Sequence, residues 1–257
     1  MHAFFYAPLR LPRTYVSWIQ RIAAVDPRLV HALRQIRYGN FIYGKETGIG
    51  PLLGSMARDL GLPEEWGNPA ITIPVPCELV HHGTSPSCEV HALKRLARSF
   101  RAAAGVYAPL QALLLLRRLL LLRSAQASTT AAAAAAAGAA RTRLIANAVL
   151  DTVRSASFLA SFVALFYYGV CLVRTRLGPR LFPGVTAQMW DAGLCVLGGC
   201  VACGWSVLLE RPRRQMELML FVVPRAISVF LPRRYEASVR DSSFFFPALS
   251  LFGGRGF

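Results

Sequence analysis

Residues 155–173 and 192–209 form two runs, nineteen and eighteen residues long, without an Asp, Glu, Lys, Arg or His. Coiled as helices at about 1.5 Å per residue they reach about 27–29 Å, close to the roughly 30 Å of hydrocarbon in a bilayer. Backbone groups find no water in that medium, so a spanning run bonds to itself as a helix. Arg154 and Arg174 bracket the first run, and Asp191 and Glu210 the second. The fold class expected from these runs is all-α, a multi-pass helical membrane protein.

Composition points the same way. Hydrophobic residues make up 54% of the 257 and charged ones 16%, against the roughly 25% charged of soluble domains. The net charge of +16 lies mostly beyond residue 100, with arginines at the ends of apolar runs. There they can snorkel or meet anionic headgroups, whereas nucleic-acid binders gather their cations on a solvated face. The lipid bilayer is the expected partner, and nucleic acid is not. No Asn-x-Ser/Thr acceptor and no secretory leader pattern is present, which points to an intracellular organelle membrane.

Two further runs are less regular. Residues 102–116 are uncharged, Arg117 and Arg118 follow, and Leu119 to Leu122 complete a first span near 102–122 with the arginines snorkelling. Residues 216–231 are apolar but hold Glu217, Pro224 and Arg225, each charge costing about 2.5–3.5 kcal/mol at the centre of a span. A tilted, re-entrant or interfacial helix fits that segment better. Ahead of the first span, Ser85-Pro86 offers a cap and a first-turn proline. The helix that follows places Val90, Leu93, Ala97 and Phe100 on one side and His91, Lys94, Arg95, Arg98 and Arg101 on the rest, the pattern of a helix lying at a membrane interface.

Three regions result: a basic, loop-rich and partly helical N-terminal region (1–88), a helical membrane domain (89–235) and an irregular tail (236–257). The first 37 residues carry six arginines and one acid, like a mitochondrial presequence, but their prolines and Tyr6, Tyr15 and Trp18 favour a retained segment with a helix near 27–37. Residues 38–88 are rich in Gly and Pro and read as loops around one helix near 52–60, without a core of their own. The alanine-rich stretch 127–140 reads as a spacer.

Few motifs carry chemistry. Gly39 to Glu46 approaches a phosphate-binding loop, but Glu46 stands where a magnesium-binding hydroxyl is needed, so a turn is the better reading. Cys77-x3-His81-His82 followed by Cys88-x2-His91 can furnish soft donors for structural zinc, the alternative being packing or capping. No other cofactor is expected. Inside the second span Ala156, Ala160 and Ala164 make a flat line opposite a lipid-facing stripe of Phe158, Phe162 and Phe166. In the third, Cys195, Gly199 and Cys203 lie on one line and Gly198 and Ala202 on the next. Small residues at this spacing let helices approach closely, and a lined pathway is the alternative. All five histidines precede the spans without a nucleophile context, so no enzyme is expected.

Taken in order, Pro76-Cys-Glu-Leu-Val-His81, Ser87-Cys-Glu-Val-His-Ala-Leu93, Tyr107-Ala-Pro-Leu110, Ser155-Ala-Ser-Phe158 and Leu209-Glu-Arg-Pro-Arg-Arg214 ahead of Pro224-Arg-Ala226 resemble the transmembrane protein 135 family, fungal members in particular. Phe5-Tyr-Ala-Pro8 and Leu11 to Tyr15 extend the likeness. The resemblance implies a multi-pass, non-enzymatic protein of peroxisomes or mitochondria, linked to lipid metabolism and organelle dynamics and distantly similar to inner-membrane import channel subunits. It carries over no catalytic residue. A pore or translocase component is the alternative it leaves, and a membrane-bound lipid enzyme the third. Relatives carry a second set of membrane segments absent here, so the resemblance implies a fragment or truncated form, with other membrane helices as the expected partners, from a missing second half or a second copy.

Overall fold

Asp26-Pro27 starts a helix as its chemistry requires. The Asp26 carboxylate accepts from the Arg28 amide at 2.8 Å, Pro27 fills the first turn, and Gly39 ends the helix in the left-handed conformation. In the computed structural model, which describes residues 2–8, 11–23, 25–125 and 131–230, every regular element is of this helical kind, and no strand occurs among the described residues. In order they are α1 (His2–Tyr6), α2 (Arg13–Ala23), α3 (Pro27–Tyr38), α4 (Gly50–Asp59), α5 (Cys77–Val80), α6 (Cys88–Ala125), α7 (Ala131–Leu172), α8 (Gly178–Leu181), α9 (Ala187–Met189), α10 (Cys195–Gly204) and α11 (Pro212–Phe230). The tail expected at 236–257 lies outside the described residues.

Among the described residues, three helical stretches are long and apolar enough to cross a membrane: Cys88–Leu122, Ala137–Leu181 and Ala187–Leu209. The helix expected from residue 85 begins at Cys88, where Ser87 Oγ accepts from the Val90 amide at 3.4 Å. α6 and α7, 38 and 42 residues long, extend about 57 and 63 Å, twice a bilayer's apolar depth. They run antiparallel. Glu89 pairs with Arg176 at 2.5 Å, and the Arg95 guanidinium lies 3.9 Å over the Tyr167 ring. This register sets the apolar run at 102–122 level with about residues 141–161 of the partner helix, by counting residues back along the pair. The run at 155–173 lies beside the basic start of α6.

α7 also packs on α10, and glycine makes that contact close. A Cβ on Gly199 would meet Val170 Cγ2 at 2.6 Å and the Phe166 carbonyl at 2.8 Å. The chain between α7 and α10 contains two π-helical turns, Val173–Leu177 and Trp190–Leu194, on either side of a short loop. Within the second, Gly193 adopts φ 150°, and a Cβ there would meet Arg37 Nη1 at 2.8 Å. α11 continues as a helix through Pro224 with an exposed apolar surface including Met216, Leu220 and Val222.

Two cores hold the N-terminal region in place. Phe4, Phe5, Tyr6, Leu11, Ile19 and Val30 pack with Val163, Phe166, Tyr167, Cys195 and Val196, so α1 and α2 cover the sides of α7 and α10. Leu29, Ile36, Phe41, Leu53, Met56, Val75 and Leu79 form the second. The expectation that residues 38–88 lack a core is therefore corrected: α4 and α5 bury apolar side chains against α3, with Phe41, Met56 and Leu79 fully inaccessible. The Gly- and Pro-rich spacing hides this core because its members are scattered through turns.

Candidate functional site

The α7–α10 break carries a buried charge pair. Arg174 donates from Nε to Asp191 Oδ1 at 2.6 Å and from Nη2 to Asp191 Oδ2 at 2.9 Å, a bidentate fork. Tyr43 Oη donates to Asp191 Oδ2 at 2.5 Å, and Arg174 Nη2 also donates to the Val75 carbonyl at 2.7 Å. Gln188 ties the same break to the N-terminal region, donating to the Phe41 carbonyl at 2.8 Å and accepting from the Tyr43 amide at 3.0 Å. A small cavity of about 60 Å³ beside the pair is bounded by Tyr43, Val75, Phe166 and Cys195. In the sequence Arg174 and Asp191 stand as flanks of two separate apolar runs. Folding joins them, and no local pattern announces a pair seventeen residues apart.

Next to this pair the thiols and one imidazole converge. The donor atoms of His81, Cys88 and Cys171 lie within 4.8 Å of one another, a group that can hold a metal ion. Cys77, at the start of α5, places its thiol 4.0 Å from Arg174 Nη1. The loop after α5 fixes the imidazole: His81 Nδ1 lies 2.9 Å from the Ser85 carbonyl. A carbonyl only accepts, so Nδ1 carries the proton and Nε2 keeps its lone pair. That lone pair points at Cys171 Sγ, 3.2 Å away. Burial holds the His81 imidazole below its ordinary pKa, hence neutral, and pushes the Cys77 thiol up.

The sequence-derived donors are thus partly regrouped. His81 and Cys88 come together with Cys77 nearby, and Cys171, a thiol inside the apolar run 155–173 that the spacing does not single out, joins them. His82 and His91 stand outside the group. His82 takes a left-handed φ of 54°, and its buried Nε2 has no hydrogen-bond partner. His91 stacks on the His81 ring at 4.2 Å and accepts from Arg95 Nε at 3.4 Å.

The line of Ala156, Ala160 and Ala164 and the line of Cys195, Gly199 and Cys203 are buried, and Gly198 and Ala202 are half-buried. Ala156, Ala160 and Ala164 are inaccessible or nearly so, as are Cys195 and Cys203. Val173 lies against Gly198, and Gly169 against Ala202 and Gly199, so these lines are filled by helix packing. The phenylalanine stripe departs from expectation. Phe166 is buried and stacks on Phe5 at 5.7 Å, and Phe162 packs on the same core. α1 covers the side that the sequence assigns to lipid. No protein family, no curated protein and no solved structure matches this chain.

α6 departs from expectation only on its polar side. Its buried members are His91, Arg95, Ser99 and Ala103, while Val90 and Leu93 are exposed at 43% and 66%. Arg95 donates from Nη1 to the Ala23 carbonyl at the end of α2, which also accepts from Tyr167 Oη at 3.0 Å. Lys94, in contrast, stays exposed and donates to the Thr84 carbonyl at 2.9 Å. The polar residues assigned to headgroups by their spacing include two that face protein.

Proposed function

We propose that the chain is a multi-pass helical membrane protein that works without catalysis, as an assembled bundle in the membrane of peroxisomes or mitochondria. The observation that carries the membrane part is the polarity of α6: His91 and Arg95 inside, Val90, Leu93, Leu110, Leu113 and Leu120 outside. Water favours the reverse arrangement, whereas in lipid polar groups turn to the bundle interior. The organelle and the role in lipid handling and organelle dynamics come from the resemblance to the transmembrane protein 135 family and rest on its collinear motifs. The cofactor proposed with this reading is a structural zinc ion at the His81, Cys88 and Cys171 group.

Alkaline carbonate extraction tests the membrane reading: the tagged full chain stays in the pellet, and its release into the supernatant overturns the reading. Imaging of the same chain against peroxisomal and mitochondrial markers decides the organelle, and a purely cytosolic or secretory distribution removes the resemblance-based setting.

A further inference from the structure

We infer that Cys77, His81, Cys88 and Cys171 together form a four-donor site for a zinc-class ion, which clasps the N-terminal region to the side of α7. The inference rests on the zinc reading above and is independent of the membrane reading. It replaces His82 and His91 by Cys171, ninety residues beyond His81.

The donor chemistry is of one kind. Three sulfurs and one imidazole nitrogen form a Cys3His set, one of the closed tetrahedral sets of structural zinc. With Zn–S near 2.3 Å, two sulfurs on one tetrahedral ion stand about 3.8 Å apart. The donor atoms of His81, Cys88 and Cys171 lie within 4.8 Å of one another and reach that spacing by about 1 Å of closure, whereas Cys77 stands outside that grouping. Cys77 needs the largest adjustment, and its neighbour Cys88 is a member of the grouped donors.

The outer shell is also in place. Metal-bound histidines characteristically donate their second ring N–H to a carbonyl or carboxylate. His81 does so to the Ser85 carbonyl, and its stack on His91 holds the ring plane. The Arg174 guanidinium beside Cys77 Sγ supplies a cationic donor to a sulfur that must become thiolate. Three thiolates and one Zn²⁺ leave a single negative charge, which that guanidinium faces. Binding therefore releases protons from the cysteine thiols, while His81, its Nδ1–H held by the Ser85 carbonyl, offers the Nε2 lone pair.

The topology gives the ion a task. Cys77 opens α5, His81 ends it, Cys88 opens α6, and Cys171 sits in the last turn of α7. One ion would close the loop between α5 and α6 and tie it to a helix that reaches the α7–α10 break. The ordinary explanation of the same geometry is a Cys171 S–H donating to His81 Nε2, which needs neither Cys77 nor Cys88.

The experiment uses the full chain, solubilised in mild detergent and purified without added metal, with elemental analysis followed by replacement with Co²⁺. About one zinc per chain is expected, and the cobalt form should show tetrahedral d–d bands with sulfur-to-metal charge transfer. Cys171→Ser and Cys77→Ser should each remove stoichiometric zinc and change the cobalt spectrum, while H82Q and H91Q keep both. Gel filtration of each variant separates loss of metal from loss of fold. Chelation of the wild type should raise hydrogen exchange at residues 77–88, and unchanged exchange overturns the clasp. Stoichiometric zinc unaffected by Cys171→Ser, or lost with H91Q alone, overturns this donor set and leaves the zinc reading standing. Absence of zinc and of cobalt binding in the wild type overturns both.

Discussion

The two ends of the α6–α7 pair share one architecture and differ in what surrounds it. At the end holding residues 155–172 of α7, the N-terminal helices, α10 and the start of α6 enclose the helix, and Val163, Phe166 and Tyr167 are buried. At the other end Leu110, Leu113, Leu120, Ile145, Val149 and Leu150 are exposed. Of the most apolar stretch in Cys88–Leu122 none is buried, against 44% of that in Ala137–Leu181. Apolar sequence therefore serves two purposes here. One end builds a protein core around a helix that composition alone would give to lipid, and the other leaves an apolar surface exposed, the surface that the proposed bilayer would cover.

The largest expected effect lies at the enclosed end. Asp191→Ala leaves the Arg174 guanidinium buried without its carboxylate, and breaking such a pair costs about 3–5 kcal/mol. Unfolding of the detergent-solubilised protein should shift by that amount, with the α7–α10 break and the Tyr43 region losing protection together. A shift below about 1 kcal/mol, the range of exposed pairs, would mean that water reaches the site and the enclosure is loose.

Glycine substitutions sharpen the comparison, because both ends offer one within a helix. Gly199→Leu and Ala160→Leu insert bulk where Gly199 abuts Val170 and Phe166, and where Ala160 has no accessible surface. Overpacking of this kind costs about 1–3 kcal/mol. Gly138, in α7 at the open end, has nothing within 4 Å of a Cβ, so Gly138→Ala should stabilise by about 0.5–1 kcal/mol through backbone entropy alone. Thermal unfolding of the three variants checks the opposite signs. A destabilising Gly138→Ala would place a packing partner at the open end.

Legibility in the sequence follows the range of the interaction. α3 is readable because Asp26, Pro27 and Gly39 act within a few residues of themselves. The three apolar helices are readable because length and hydropathy are local sums. α1 and α2, hidden among prolines, form by packing on residues some 150 positions away. Cys171 meets His81 across ninety residues, and the sequence shows only a thiol in an apolar run. His91 and Arg95 on α6 are assigned to headgroups for a different reason: periodicity finds a polar side but not which of its residues meet protein. Tyr167 and the Ala23 carbonyl decide that for Arg95. The same blindness assigns Phe162 and Phe166 to lipid when α1 covers them.

The smallest effect is expected where the open end is most open. Leu113 is 66% exposed, so Leu113→Ala removes few protein contacts and leaves little cavity. In detergent the unfolding free energy should change by no more than about 0.5 kcal/mol, the scale of surface substitutions. Phe166→Ala, the same truncation at the enclosed end, should cost about 3–5 kcal/mol, since Phe166 is buried and stacked on Phe5. Leucine at 113 matters to the medium rather than to the fold. Leu113→Arg should raise the free energy of membrane insertion by about 3 kcal/mol or more while the solubilised core keeps its unfolding midpoint. Insertion assays and unfolding curves on one set of variants separate the two purposes. If Leu113→Ala costs as much as a core truncation, another protein surface packs on the open end, and the contrast between protein-enclosed and lipid-facing helix fails there.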